Sequence, residues 1–208
     1  DDFTDEEYWQ NEDQARTYMY GFYTSIFSGY GTGTSHGPFL MGQTLNDDFA
    51  SDVEQKDLTP LVVPESDGSW SFSNIRKANY ALASIDRIDA TPAVKNHWRG
   101  VARFFRACYY SNLVFRYGDV PWYDRVPKLS NNKEDMDYLY KDRDPRAFVD
   151  SCIMADFQYA MDSVRENDGP LQINRYVVAA KTSRFMLREG TFLKHHNIDT
   201  KLPEQFST

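Results

Sequence analysis

No run of eighteen apolar residues occurs in the 208-residue chain, which excludes a membrane-spanning helix. Basic residues are the minority, 23 Lys and Arg against 31 Asp and Glu. The resulting charge of −8 disfavours nucleic acid and anionic lipid as partners, since both require a basic face. Cysteine is scarce: only Cys108 and Cys152 are present, each within the apolar stripe of an expected helix. There a free thiol behaves as a small buried hydrophobe, and a disulfide between the two is the competing reading. Neither belongs to a metal or redox spacing. No basic leader with an apolar stretch opens the chain, which starts Asp1-Asp-Phe-Thr-Asp-Glu-Glu7. A processed or trimmed start fits this opening as well as a cytoplasmic origin does.

The signatures of catalysis are equally sparse. Gly29-Tyr-Gly-Thr-Gly33 invites a dinucleotide reading, but His36 stands where a third glycine belongs, with no strand before and no helix after. There is no Walker sequence and no His-Glu-x-x-His. His195 and His196 are adjacent, so on a helix they point about 100° apart and cannot share a metal as an i, i+4 pair does. Carboxylates abound, yet no pair takes glycosidase spacing from sequence alone. The expectation is a chain that is not an enzyme and holds no cofactor and no metal.

Helical periodicity is plentiful. Ala15, Met19, Phe22 and Ile26 step by four, three and four, predicting an amphipathic helix over 12–27, with Asn11 or Asp13 as cap and a Thr4-to-Glu7 capping box before it. Ile75, Ala78, Leu82, Ile85 and Ile88 line a second helix, 73–89. Val94, Trp98, Val101, Phe105, Cys108 and Asn112 line a third, 93–117, which Thr91 caps, Pro92 starts and Gly118 ends. The short link between these two implies an antiparallel hairpin. On the third helix Arg99, Arg103 and Arg106 share one side, suited to carboxylates or carbonyls. Asp144-Pro145 opens a fourth, with Phe148, Cys152, Ala155 and Tyr159 on its face and Val149, Ile153 and Ala160 widening it. A fifth begins near Asn174 and runs to about Lys194; its Ala179-Ala180 and Phe185-Met-Leu187 segments suggest a well-buried helix. The sum is an all-α domain of stacked helical hairpins, divergently tetratricopeptide-like, with long loops over 29–68 and 119–143.

Aromatics make up 15% of the chain, too many in loop-like stretches for all to be core. Flat rings beside hydrogen-bonding groups suit the C–H faces and hydroxyls of sugars. The candidates are Tyr30, His36, Phe39, Asn46, Asp47 and Asp48 in the first loop, Trp70 at its end, and Trp122 and Tyr123 in the second. For each, the competing reading is a loop residue folded back on the domain, most of all for Trp70 and Trp122, which adjoin helix ends.

Several phrases resemble one family. Ile75-Arg-Lys-Ala-Asn79, Gly100-Val-Ala-Arg-Phe-Phe-Arg-Ala107 and Tyr117-Gly-Asp-Val-Pro121 occur in order, followed by Ile153-Met-Ala-Asp-Phe157 with Ala160, and by Asn174-Arg to Leu187 with Glu189-Gly-Thr-Phe192. Together with the opening around Trp9, they are similar to the SusD/RagB family, surface lipoproteins of Bacteroidetes nutrient-uptake systems. Two features depart from the pattern: Val101 stands where the family usually has Glu, and the chain is much shorter than family members. The resemblance implies a SusD-like helical domain over 1–208, as a fragment of a longer protein. It also implies a noncatalytic binding role, with oligosaccharide delivered to a SusC-like TonB-dependent outer-membrane transporter. The only membrane attachment would be a lipid on a cysteine preceding Asp1. Ligand residues vary among members, so the loop candidates rest on their own chemistry. A helical-repeat scaffold that binds only protein is the rival reading, and a hydrolase the weaker one.

Overall fold

The computed structural model describes residues 8–27, 68–127 and 132–196. Among them are seven α-helices: α1 (Glu12–Tyr20), α2 (Tyr23–Ile26), α3 (Ser73–Ser84), α4 (Pro92–Tyr117), α5 (Lys133–Leu139), α6 (Arg146–Ser163) and α7 (Arg175–His195). A 3-10 turn, Ile85–Arg87, follows α3. No strand occurs among the described residues, only an isolated bridge between Val120 and Asp144. The all-α expectation holds. The chain divides into two compact units, Gly21–Ser71 and the remainder, Asp1–Tyr20 with Phe72–Thr208. In the smaller one, the described part holds α2, a single turn in which Ser25 Oγ donates to the Phe22 carbonyl at 2.8 Å.

The larger unit is arranged around α4, whose 26 residues make a rod about 39 Å long at ~1.5 Å per residue. It packs along α6, on α3 at another flank, and against α1 and α7; α7 lies mainly on α6. The hairpins α3–α4 and α6–α7 therefore stack through an α4–α6 seam, the expected architecture. Gly100 explains part of that seam, because a Cβ there would sit 2.9 Å from Val164 Cγ2. Wrapped on several sides, α4 buries far more than one stripe, including Phe104, Phe105, Ala107 and Tyr110.

Local signals place the helix ends. Thr91 caps α4 by accepting from the Val94 N–H, and Pro92 is at its start. Asn174 caps α7 from Val177 N at 3.0 Å. Gly118, at φ 72°, turns the chain out of α4, a conformation that only glycine adopts freely. Asn11 caps α1 through Gln14 N, and the Gln14 side chain returns to the backbone N–H of Asn11 at 3.1 Å. This capping box lies seven residues beyond the Thr4–Glu7 pair in the sequence, and that pair falls outside the described residues.

Four expectations need correction. The helix over 12–27 breaks after Tyr20 at a turn containing Gly21, since glycine is among the weakest residues in a helix interior. The 73–89 helix tightens to a 3-10 turn after Ser84. In α6 the buried face holds Val149, Asp150, Ile153, Met154, Asp156, Phe157 and Ala160, while Phe148 is 49% exposed and Ala155 is exposed. Two buried aspartates on the inner face misdirected a pattern read from hydrophobicity. In α7, Ala179, Ala180 and Leu187 face outward, because only the side holding Val178, Thr182, Phe185, Glu189 and Leu193 is covered. One helix was not anticipated: α5, capped by Asn132 through the Asp135 N–H. Cys108 and Cys152 are both free thiols; Cys108 is buried, as the hydrophobe reading requires, whereas Cys152 is half-buried.

Candidate functional site

Where α4 ends, the chain leaves as an extended segment that crosses the start of α3. Reciprocal capping holds it. Asp119 accepts from the first N–H of α6, at Arg146, at 2.8 Å. Asp144, expected to cap α6 locally, instead accepts from Trp122 N at 2.7 Å and pairs with Lys141. The Asp144 N–H donates to the Val120 carbonyl, closing the bridge. Tyr110 adds a buried hydroxyl that accepts from Tyr123 N at 2.6 Å. Burial drives the Tyr110 phenol far up from its ordinary pKa, so it stays protonated.

A buried polar network braces this exit from behind. Arg106 donates to both carboxylate oxygens of Asp156, at 2.7 and 2.8 Å, and to Asn79 Oδ1 at 2.7 Å. Asn79 Nδ2 then donates to the Tyr123 carbonyl at 2.8 Å. Burial pushes the Asp156 carboxyl up, and the Arg106 guanidinium opposes it. Arg103 lies 3.8 Å from the same carboxylate, and Arg99 pairs with Asp86 at 2.5 Å. The arginine side of α4 thus meets carboxylates, and Arg106 finds its partner on α6 although residue 101 is valine.

Successive residues of an extended segment point to opposite sides. Trp122 turns inward, 8% exposed, its ring 4.2 Å from Tyr110 and 5.1 Å from the Arg106 guanidinium. Tyr123 turns the other way and forms one wall of a cleft of about 330 Å³. The first turns of α3 supply Phe72, Ile75, Arg76 and Asn79; the exit segment adds Arg125 and Pro127, and α5 adds Leu139. Phe72 and Tyr123 meet edge to face at 5.3 Å and 89°. Tyr123 Oη donates to the Leu139 carbonyl at 2.8 Å, and burial holds its phenol above its usual range. Arg125 is paired with Asp135 at 2.9 Å and lies over the Tyr138 ring. The cleft offers flat apolar walls with cations at its rim, a geometry suited to binding a ligand with an apolar face.

Of the sequence candidates, Tyr123 lines the cleft, Trp122 belongs to the core, and Trp70 is 38% exposed in the smaller unit. Tyr30, His36, Phe39, Asn46, Asp47 and Asp48 lie outside the described residues. Phe72, Arg76 and Arg125 were not singled out. Two of them border or lie within a helix phrase that reads as scaffold, and a cleft wall made of residues 72, 75, 76 and 79 emerges only once α3 and the exit segment are adjacent. His196 Nδ1 sits 2.8 Å from the Phe192 carbonyl, and no cluster of metal-ligating residues occurs among the described residues.

No family model matches the chain, and no curated protein matches it by sequence. Among solved structures, it superposes on a SusD-like protein from Bacteroides fragilis with a TM-score of 0.62 at 20% identity, over 91% of this chain and 37% of that one. It also superposes on a SusD-like carbohydrate binding protein from Bacteroides vulgatus with a TM-score of 0.54 at 18% identity, over 88% of this chain and 43% of that one. The chain spans roughly two-fifths of the length of these structures. Its helices, stacked in this order about α4, have the fold of SusD-like proteins.

Proposed function

We propose that the chain is the N-terminal helical part of a SusD/RagB-family binding protein, which captures oligosaccharide at the cell surface and passes it to a SusC-like TonB-dependent transporter. The observation that carries this reading is the likeness over nine-tenths of the chain to a protein described as carbohydrate binding. A second supports it: Asn79, Arg106 and Asp156, one from each of three family-like phrases, join in a single network behind the Tyr117-Gly-Asp-Val-Pro121 exit. That convergence gives the phrases a shared physical task. In this reading the protein binds without turnover, is held at the extracellular face of the outer membrane by a lipid, and has the remainder of its chain beyond these residues. The ligand residue proposed in the larger unit is Tyr123; Tyr30, His36, Phe39, Asn46, Asp47 and Trp70 are the candidates proposed separately for the smaller one.

A glycan screen by affinity electrophoresis and calorimetry tests it. Retardation by at least one oligosaccharide, with no new products after prolonged incubation, is the expected result; released products, or no binding across the screen, would overturn it. The rival protein-binding scaffold draws on the outer face of α7, where Tyr176 is 62% and Leu187 73% exposed. Co-purification of a protein lost on Leu187→Glu, with no glycan bound, would favour that alternative.

A further inference from the structure

Arg76 lies one turn into α3 and borders the cleft, exposed to solvent. Its guanidinium has no ion pair or hydrogen bond among the described residues, whereas the arginines around it are engaged. Arg125 holds Asp135, and Arg103 and Arg106 hold Asp156. In a chain of net charge −8, an unpaired cation at the rim of an apolar recess is free for an incoming anion.

The walls narrow the choice further. Phe72, Ile75, Pro127 and Leu139 are apolar, Ser73 adds one hydroxyl, and the amide and phenol of the lining are already engaged. Asn79 is bonded to Tyr123 and Arg106, and Tyr123 Oη donates to Leu139. A sugar carrying neutral hydroxyls on every edge would leave several of them unpaired against these walls, which weakens its binding. A ring with one C–H face and a carboxylate at its edge fits better, since the face stacks on an aromatic and the carboxylate takes a bidentate guanidinium. At about 330 Å³ the cleft lies at the small end of ligand sites, enough for one sugar ring and part of its neighbour.

The geometry points to a subsite for an acidic sugar, a uronate residue of an anionic oligosaccharide, with its carboxylate on Arg76, its C–H face on Tyr123 and its edge against Phe72, whose ring stands perpendicular to that of Tyr123. This rests on the glycan-binding reading above and names the ligand class of one site within it. The affinity of the intact chain for trigalacturonate and maltotriose, measured by titration calorimetry at low salt, tests it. Trigalacturonate is expected to bind at least about tenfold more tightly, and Arg76→Gln to weaken it about tenfold, the loss of one charge-assisted pair. Arg76 is exposed and unpaired, so the melting temperature of the variant should match wild type, separating a lost contact from a lost fold. Trigalacturonate affinity unchanged in Arg76→Gln would overturn the assignment. So would maltotriose binding as tightly as trigalacturonate, an outcome that leaves the proposed function standing; failure of every glycan in the broader screen would overturn both.

Discussion

Arg106 concentrates several contacts on one buried charge. It is 6% exposed, forks onto Asp156, reaches Asn79 and lies over Trp122. Burial alone would lower its pKa, yet the Asp156 carboxylate holds it raised. Removing one partner of such a pair strands the other without water. Asp156→Ala should therefore cost about 3–5 kcal/mol in denaturant unfolding, while Arg106→Met combined with Asp156→Leu should recover most of the loss. A double variant no more stable than Asp156→Ala would mean that the bonds to Asn79 and the exit segment, rather than charge pairing, dominate. The presence of Arg106 and its need for a carboxylate were legible from its position on α4. Which carboxylate could not be read, because Asp156 lies fifty residues away in the sequence.

At the scale of elements, the exchange between Asp119 and Asp144 is the least local feature. Each aspartate caps backbone belonging to the other segment, so the end of α4 and the start of α6 are held as one corner. Asp119→Ala removes the acceptor at the first N–H of α6 and should destabilise the chain by about 1 kcal/mol, with Asp119→Asn close to wild type. Thermal melts of the two variants check this, and equal losses in both would point to charge rather than capping. Asp119 accepts from a backbone N–H far along the chain rather than from its own turn. Asp144 stands where a local cap of α6 would be, and tertiary proximity diverts its side chain to Trp122. The same corner aims Tyr123 at the cleft and Trp122 at the core.

Two buried titratable groups act on the whole molecule with opposite sign. His97 is 1% exposed, accepts from Arg165 N through Nδ1 at 3.1 Å, and has Nε2 3.4 Å from Asp168. Burial lowers its pKa to about 4, against a weaker opposing pull from Asp168. Between that value and the ordinary histidine range, the unfolded chain binds a proton that the fold refuses, so stability rises with pH. Asp150 is 1% exposed and faces Glu189, itself held by Arg146. Burial first, then the Glu189 charge, raises its carboxyl to about 8. From the ordinary aspartate range up to that pH the fold keeps a proton that the unfolded chain has released, so stability falls with pH. The two slopes, each about 1.4 kcal/mol per pH unit, oppose one another on the acidic side. Above about pH 6.5 only the Asp150 decline remains. Melting temperature followed from pH 5 to 8 should drop over the last stretch in wild type, and Asp150→Asn should abolish the drop and expose a rise on the acidic side. A wild-type curve that stays level to pH 8 would show that Asp150 folds as a carboxylate.

Periodicity, capping residues and the glycine and proline stops were enough to place the four long helices and the hairpin about α4, because each depends on neighbours within one or two turns. The absence of a spanning helix and the poverty of basic residues followed from composition alone. Other features belonged to tertiary structure: the inner face of α6, the partner of Arg106, the exchange of caps at the corner, and the cleft between α3 and the exit segment. In each case the deciding term is the desolvation and pairing of polar groups brought together across long stretches of chain. A burial pattern along one helix carries no record of that pairing.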